Sequence, residues 1–246
     1  MNKFFIIGAQ RSGSTLLINR LDTHKNINTV KPHFPESKFF LKNQNIESSE
    51  LFFKKYYLPG IKIVGEKATS YIESNFALKQ IKNIYSDAKI IILLRDPVIR
   101  AHSNYLFSKS NNHEYRDFSE AFYISLENNI KSSVNPYDYK KRSHYLSYIE
   151  NIYSTFDKKN ILLLVFEEII CNKYLPKNIF EFLCVDYYKI KIDKVNAIDK
   201  VEILPKKLYN NLKKNFISEI EILDKKFGVN TKLWNYDSYD IKFYDT

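Results

Sequence analysis

Apolar residues along this chain fall into two kinds of run. Short unbroken runs at residues 3–7, 61–64, 89–94 and 160–166 predict buried β-strands, with the second ended by Gly65-Glu66-Lys67. KIIILL, at 89–94, is the strongest and suits the centre of a parallel sheet. Runs with apolar residues every third or fourth place predict helices over residues 14–23, 76–85, 118–130, 144–156, 174–184 and 208–227. Pro97 and Pro176 suit first helical turns. Strands alternating with helices at this spacing predict an α/β fold, a mostly parallel central sheet flanked by helices. With 246 residues and neither an internal repeat nor a low-complexity linker, the expectation is a single domain over 1–246.

The longest apolar runs, 90–94 and 161–166, are strand-sized, so no membrane span is expected. The opening MNKFFIIG loses its apolar character after four residues, which does not fit a signal peptide and points to the cytoplasm. Two cysteines, Cys171 and Cys184, have no metal-ligand spacing and read as reduced, semi-buried thiols. The net charge of +10 favours anionic ligands, such as nucleotides or acidic glycans. No nucleic-acid recognition pattern is present, so nucleic acid is not an expected partner. Against a lysine-rich background there are six arginines, and Arg11 and Arg95 both fall at strand-to-helix junctions, where a planar fork is useful.

Chemistry enters with GAQRSGSTLL, residues 8–17. A strand, a glycine turn and a helix start make an anion site, because backbone N–H groups and the helix dipole point at the ligand. Gly8 and Gly13 let the backbone bend; Ser12, Ser14 and Thr15 add hydroxyls, and Arg11 adds a forked cation. The frame is that of a nucleotide-triphosphate loop, but Ser14 stands where that loop carries its lysine. No convincing strand ends in a magnesium-holding carboxylate, so the loop reads as built for a phosphoanion that needs no metal.

Three further segments carry a resemblance. AKIIILLRDPVIRAHSNYLFS (88–108) resembles the 3′-phosphate-binding segment of the sulfotransferases, a buried strand ending in Arg-(Asp/Asn)-Pro with a serine eight residues after the arginine; Arg95 and Ser103 match. PESKFF (35–40) is similar to the Glu-x-x-Phe-Phe element of the heparan sulfate sulfotransferases, and VGEKATSYI (64–72) to their Glu-Lys-x-x-x-Tyr element. The opening loop then fits their 5′-phosphosulfate loop. The four motifs come in the family's order over roughly the first 110 residues, and residues 144–169 resemble its later helix-strand unit.

The resemblance implies 3′-phosphoadenosine 5′-phosphosulfate (PAPS) as sulfate donor, 3′-phosphoadenosine 5′-phosphate (PAP) as product, no metal, and a P-loop-like phosphosulfate-binding strand-loop-helix. It assigns Arg11, Ser12, Gly13, Ser14 and Thr15 to the 5′-phosphosulfate, and Arg95 with Ser103 to the 3′-phosphate. Arg11 would also neutralise charge on the leaving bridging oxygen. Glu36 is the candidate general base, with His33 its rival. Lys67 would contact the transferring sulfate or stabilise the base, and its neighbour Glu66 would orient it. Lys200 corresponds to a Lys-Gly-Arg element that closes over the donor, although Val201 and Glu202 replace the glycine and arginine. Tyr56, Tyr57, Tyr71, Tyr105 and Tyr145 are candidate stacking rings that read more readily as core or rim. The expected acceptor is a glycan, glycolipid or small hydroxylated molecule. The competing readings are a phosphotransferase using ATP and a non-catalytic nucleotide- or glycan-binding protein.

Overall fold

The computed structural model describes residues 1–125, 135–192 and 203–238. In chain order the elements are β1 (Asn2–Gly8), α1 (Ser14–Leu21), β2 (Ile27–Thr29), α2 (Ile46–Lys54), β3 (Ile63–Lys67), α3 (Asn75–Ile84), β4 (Lys89–Leu94), α4 (Pro97–Ser110) and α5 (Phe118–Tyr123). There follow α6 (Leu146–Thr155), β5 (Ile161–Val165), α7 (Phe166–Cys171), α8 (Lys177–Phe182), α9 (Lys206–Lys213) and α10 (Ile217–Phe227). The chain groups into two compact units, Met1–Leu94 with Ile149–Asp193 and Arg95–Tyr148 with Lys194–Thr246.

The first unit holds a five-stranded, all-parallel sheet in the order β2-β3-β1-β4-β5. Its strands are nearly continuous apolar runs, as a sheet covered on both faces requires. Phe4, Ile6, Ile91, Leu93 and Leu164 from the strands meet Leu17, Leu21, Ile169, Ile179 and Phe180 from the helices in one core. Across the sheet from that core, Phe5 packs edge-on against Phe40 and Phe53. β3 pairs with β1 in register Ile63 opposite Asn2 through Lys67 opposite Ile6. The strand thus continues through Gly65, Glu66 and Lys67, the residues expected to end it, and all three are buried. Helix α2 begins in a capping box in which Asn45 accepts from the Ser48 N–H and Ser48 from the Asn45 N–H. Cys171 and Cys184 are exposed rather than semi-buried, Cys171 as the last residue of α7 and Cys184 two residues past the end of α8.

In the second unit α4 starts at Pro97 with Asp96 as its cap, the Asp96 carboxylate accepting from the N–H groups of Val98 and Ile99 at 2.9 and 3.2 Å. Val98, Ala101 and Tyr105 pack with Phe118, Phe122, Tyr209, Leu212 and Phe216. The buried Arg100 donates to the Tyr139 carbonyl and to Ser143 Oγ at 2.5 and 2.7 Å. The helix expected over 208–227 is two helices, α9 and α10. Asn215 folds its side chain back onto the Leu212 carbonyl (2.7 Å), and the buried Phe216 begins α10. Among the described residues no helix is long and apolar enough to cross a membrane.

Candidate functional site

Parallel α/β sheets bind ligands beyond the carboxyl ends of their strands, near the point where strand order reverses. Here that point lies at β1, whose successors β2 and β3 lie to one side and β4 to the other. Past Gly8 the chain stays tied to the sheet, the Ala9 N–H donating to the Leu93 carbonyl at 2.7 Å. Arg11 and Gly13 then adopt positive φ, 67° and 83°, and turn the loop into α1. Gly13 is the cap residue and offers no side chain, so the first N–H groups of α1 have no side-chain cap. An added Cβ there would meet the Phe166 ring at 2.4 Å, so ring and loop touch. Ser12 and Ser14 are buried, Thr15 is exposed, and Arg11 and Gly13 are half-buried. Ser12 Oγ, fully buried, has no hydrogen-bond partner among the described residues.

The ends of β1 and β3 bring the candidate catalytic residues together. Lys67 Nζ, on a side chain that is 2% exposed, donates to Glu36 Oε1 at 2.9 Å and to Thr15 Oγ1 at 3.1 Å. Glu36 also accepts from the Thr69 N–H at 2.9 Å and from Thr69 Oγ1 at 3.0 and 3.2 Å. Lys67 therefore joins the base candidate to the glycine loop across two segments far apart in sequence. Three donor groups face a carboxylate with about four acceptor sites, which leaves one for a further proton donor.

Glu66 was expected to orient Lys67, and it does not. Alternation along β3 sends consecutive side chains to opposite sides. Glu66 Oε1 instead accepts from Tyr71 Oη at 2.9 Å and from Ser37 Oγ. Glu66 is 1% exposed, and burial, reinforced by the charge of Glu36, pushes its carboxyl up to about 7 against the pull of the Ser37 and Tyr71 hydroxyls.

His33, the rival base, lies beside Thr29 and Asn19. Its Nε2 is 2.7 Å from Thr29 Oγ1, and its Nδ1 is bonded to Asn19 Oδ1, so both ring nitrogens are engaged. Burial, helped by Lys31 and Lys67 and opposed by Asp22, lowers its proton affinity. Lys31 and the Tyr56 hydroxyl fasten the same segment, Tyr56 Oη accepting from the Lys31 N–H and donating to the Lys31 carbonyl. Of the other candidate rings, Tyr57 donates to Glu50, Tyr105 to the Arg116 carbonyl and Tyr145 to the Arg95 carbonyl. Those hydroxyls serve packing.

Arg95 and Ser103 belong to the second unit. Arg95 directly precedes the Asp96 cap, and Ser103 lies in the second turn of α4; both are half-buried. Asp96 accepts from the α4 backbone and from Tyr209 Oη at 2.6 Å, and Lys213 Nζ lies 3.9 Å from its carboxylate. Lys200 lies outside the described residues. Thr69, Ser37 and Phe166 were not singled out in the sequence. Thr69 had a signal, standing two residues beyond Lys67; Ser37 and Phe166 had none.

Residues 1–186 match the family described as sulfotransferase domain. A bifunctional heparan sulfate N-deacetylase/N-sulfotransferase of Caenorhabditis elegans is 33% identical over 100 residues, 40% of this chain and 12% of that protein. Human carbohydrate sulfotransferase 15 is 31% identical over 114 residues, 39% of this chain and 20% of that protein. The chain thus matches only a minor part of the length of these curated relatives. The solved sulfotransferase of Alicyclobacillus acidocaldarius superposes with a TM-score of 0.77 at 21% identity, covering 95% of this chain and 98% of that one, so the two share a fold. With its glycine loop, its paired Glu36 and Lys67 and a match spanning most of its length, this chain belongs to the sulfotransferase family.

Proposed function

We propose that this protein transfers the sulfuryl group of PAPS to a hydroxyl or amine of a carbohydrate-like acceptor, with Glu36 as general base. The observation that carries this reading is the Lys67 bridge, which links Glu36 to Thr15 of the glycine loop. The donor supplies an activated sulfur whose leaving group is a phosphate oxygen. The acceptor heteroatom forms the new bond to sulfur while the bond to the bridging oxygen breaks, leaving PAP with the electron pair. The acceptor's proton goes to the remaining acceptor site on Glu36.

Lys67 and Thr69 hold Glu36 in place before that transfer, and Lys67, reaching Thr15, also lies within reach of an anion on the loop. Arg11 is assigned to charge developing on the leaving oxygen. The residues fit a phosphosulfate: the uncapped start of α1 presents N–H donors, and the unpartnered Ser12 hydroxyl is a buried donor awaiting an acceptor. Ser14, in the place of a P-loop lysine, is buried beside them. The 3′-phosphate is assigned to Arg95 and Ser103 on motif spacing. The carbohydrate class follows the names of the relatives, which act on heparan sulfate or carbohydrate.

Calorimetric titration with PAP in the absence of magnesium, run beside ATP, tests the donor. Micromolar PAP binding that weakens in Arg95→Ala and Ser103→Ala supports the reading. Magnesium-dependent ATP binding with no response to PAP overturns it.

A further inference from the structure

Arg95 stands between two regular elements. β4 ends at Leu94, and α4 starts at Pro97 behind its cap, Asp96. The Arg95 carbonyl belongs to neither strand nor helix, so a buried side chain can fasten it. Tyr145 does so, its Oη donating to that carbonyl at 2.9 Å. A second tyrosine fastens the next residue. One Asp96 carboxylate oxygen accepts from the Val98 and Ile99 N–H groups, and Tyr209 Oη donates to the other at 2.6 Å. Capping α4 needs only the first oxygen. The bond to the second, from a residue 113 positions away, fixes how the carboxylate is turned and with it the start of α4.

The two tyrosines are themselves joined. Lys213, one turn beyond Tyr209 on α9, donates to Tyr209 Oη at 3.1 Å and to the Trp234 carbonyl. The Trp234 and Tyr145 ring centroids are 6.2 Å apart. Asp96, Tyr145, Tyr209 and Trp234 are all buried. A circuit runs from the Arg95 carbonyl through Tyr145, Trp234, Lys213 and Tyr209 to Asp96, and it closes within the second unit. Linked buried groups of this kind hold one arrangement, because moving any member leaves another without its partner.

We propose that Tyr145 and Tyr209 are positioning residues for the donor's 3′-phosphate: Tyr145 fixes the backbone from which Arg95 projects, Tyr209 fixes the start of the helix that carries Ser103, and Lys213 and Trp234 lock the two together. This inference rests on the reading of Arg95 and Ser103 as the 3′-phosphate site. It gives the Tyr145 hydroxyl a use beyond packing. A guanidinium fork recognises phosphate through bonds that weaken steeply with misalignment, so the aim of Arg95 decides how well a 3′-phosphate is told from a 3′-hydroxyl.

Calorimetric titration of the full chain with PAP, and with adenosine 5′-phosphate (AMP), which lacks the 3′-phosphate, tests the clamp. Tyr145→Phe and Tyr209→Phe keep the rings and remove the hydroxyls. Each should bind PAP about five- to tenfold more weakly than the wild type, with AMP affinity held within about twofold. In an Arg95→Ala background Tyr145→Phe should cause no further loss of PAP affinity, because it acts through the arginine. A merely structural role would weaken both nucleotides together. Equal losses for PAP and AMP, a Tyr145→Phe loss that persists in Arg95→Ala, or PAP affinity unchanged in both phenylalanine variants overturns the proposal. An Arg95→Ala protein that binds PAP as tightly as the wild type overturns the 3′-phosphate reading of Arg95 instead, whatever the tyrosines do.

Discussion

Replacing Gly13 by alanine perturbs the donor loop at one defined place. The backbone there sits at φ 83°, where an L-residue carries a penalty of roughly 1–2 kcal/mol. The new Cβ would lie 2.4 Å from both Cδ2 and Cε2 of Phe166. That ring opens α7 directly after β5 and packs on the core of the first unit, so it cannot swing away freely. Overpacking of this kind costs about 1–3 kcal/mol. The two effects add to roughly 2–5 kcal/mol, a large share of the ~5–15 kcal/mol that holds a typical domain together. Urea unfolding of wild type, Gly13→Ala, Phe166→Ala and the double variant separates them. Removing the ring relieves the clash and leaves the backbone penalty, so the double variant should be more stable than the sum of the singles predicts by about 1–3 kcal/mol. PAP affinity should fall in Gly13→Ala and recover only in part in the double variant. A Gly13→Ala protein within ~0.5 kcal/mol of wild type, or a cycle that closes additively, refutes the argument that loop and ring are in forced contact.

Three other outcomes follow from the same contacts. Glu36→Gln should lower kcat by about 10²–10⁴-fold while calorimetry finds PAP affinity unchanged, because the amide cannot take the acceptor's proton. Glu66 should make stability fall with rising pH: its folded value, about 7, is above the usual 4.5, so its contribution is complete below pH 4.5 and is lost as pH climbs through 7. Urea unfolding of wild type and Glu66→Gln at pH 4.5 and pH 8 should show their difference changing by about 3 kcal/mol, the wild type losing ground at the higher pH. Tyr71→Phe removes both the donor to Glu66 and the acceptor for the buried Phe40 N–H, and should cost about 1–3 kcal/mol by the same method, compared at pH 6.

The sheet was most legible where burial is complete on both faces. Residues 89–94 read as a strand and form one, and 3–7 and 160–166 are each within a residue or so of β1 and β5. Their apolar runs have no other use. β2 escaped notice because three residues make no pattern, and α2 because its cap is Asn45 with Ser48 rather than the commoner serine with glutamate. The split between α9 and α10 was hidden because apolar spacing continues across it; at the break the N–H groups of Asn215 and Phe216 reach back only three residues and the Asn215 side chain bonds the Leu212 carbonyl, which spacing does not reveal.

The most informative failure lies at β3, expected over 61–64 and found at Ile63–Lys67. A glutamate and a lysine ordinarily mark the end of a buried strand, since neither charge survives burial without a partner. Beside Tyr71 on Glu66 and Thr15 on Lys67, the partners include Ser37 and Glu36, about thirty positions upstream, and local pattern carries no trace of those two. Motif resemblance supplied Glu36 and Lys67 but not their meeting at 2.9 Å, and it attached Glu66 to the wrong neighbour. Two adjacent ionisable residues inside a parallel strand stay there only if something distant satisfies both. That requirement ties the 36–37 segment to the strand end and sets the base candidate beside the glycine loop. The residues that made the strand hard to read are the ones that assemble the site.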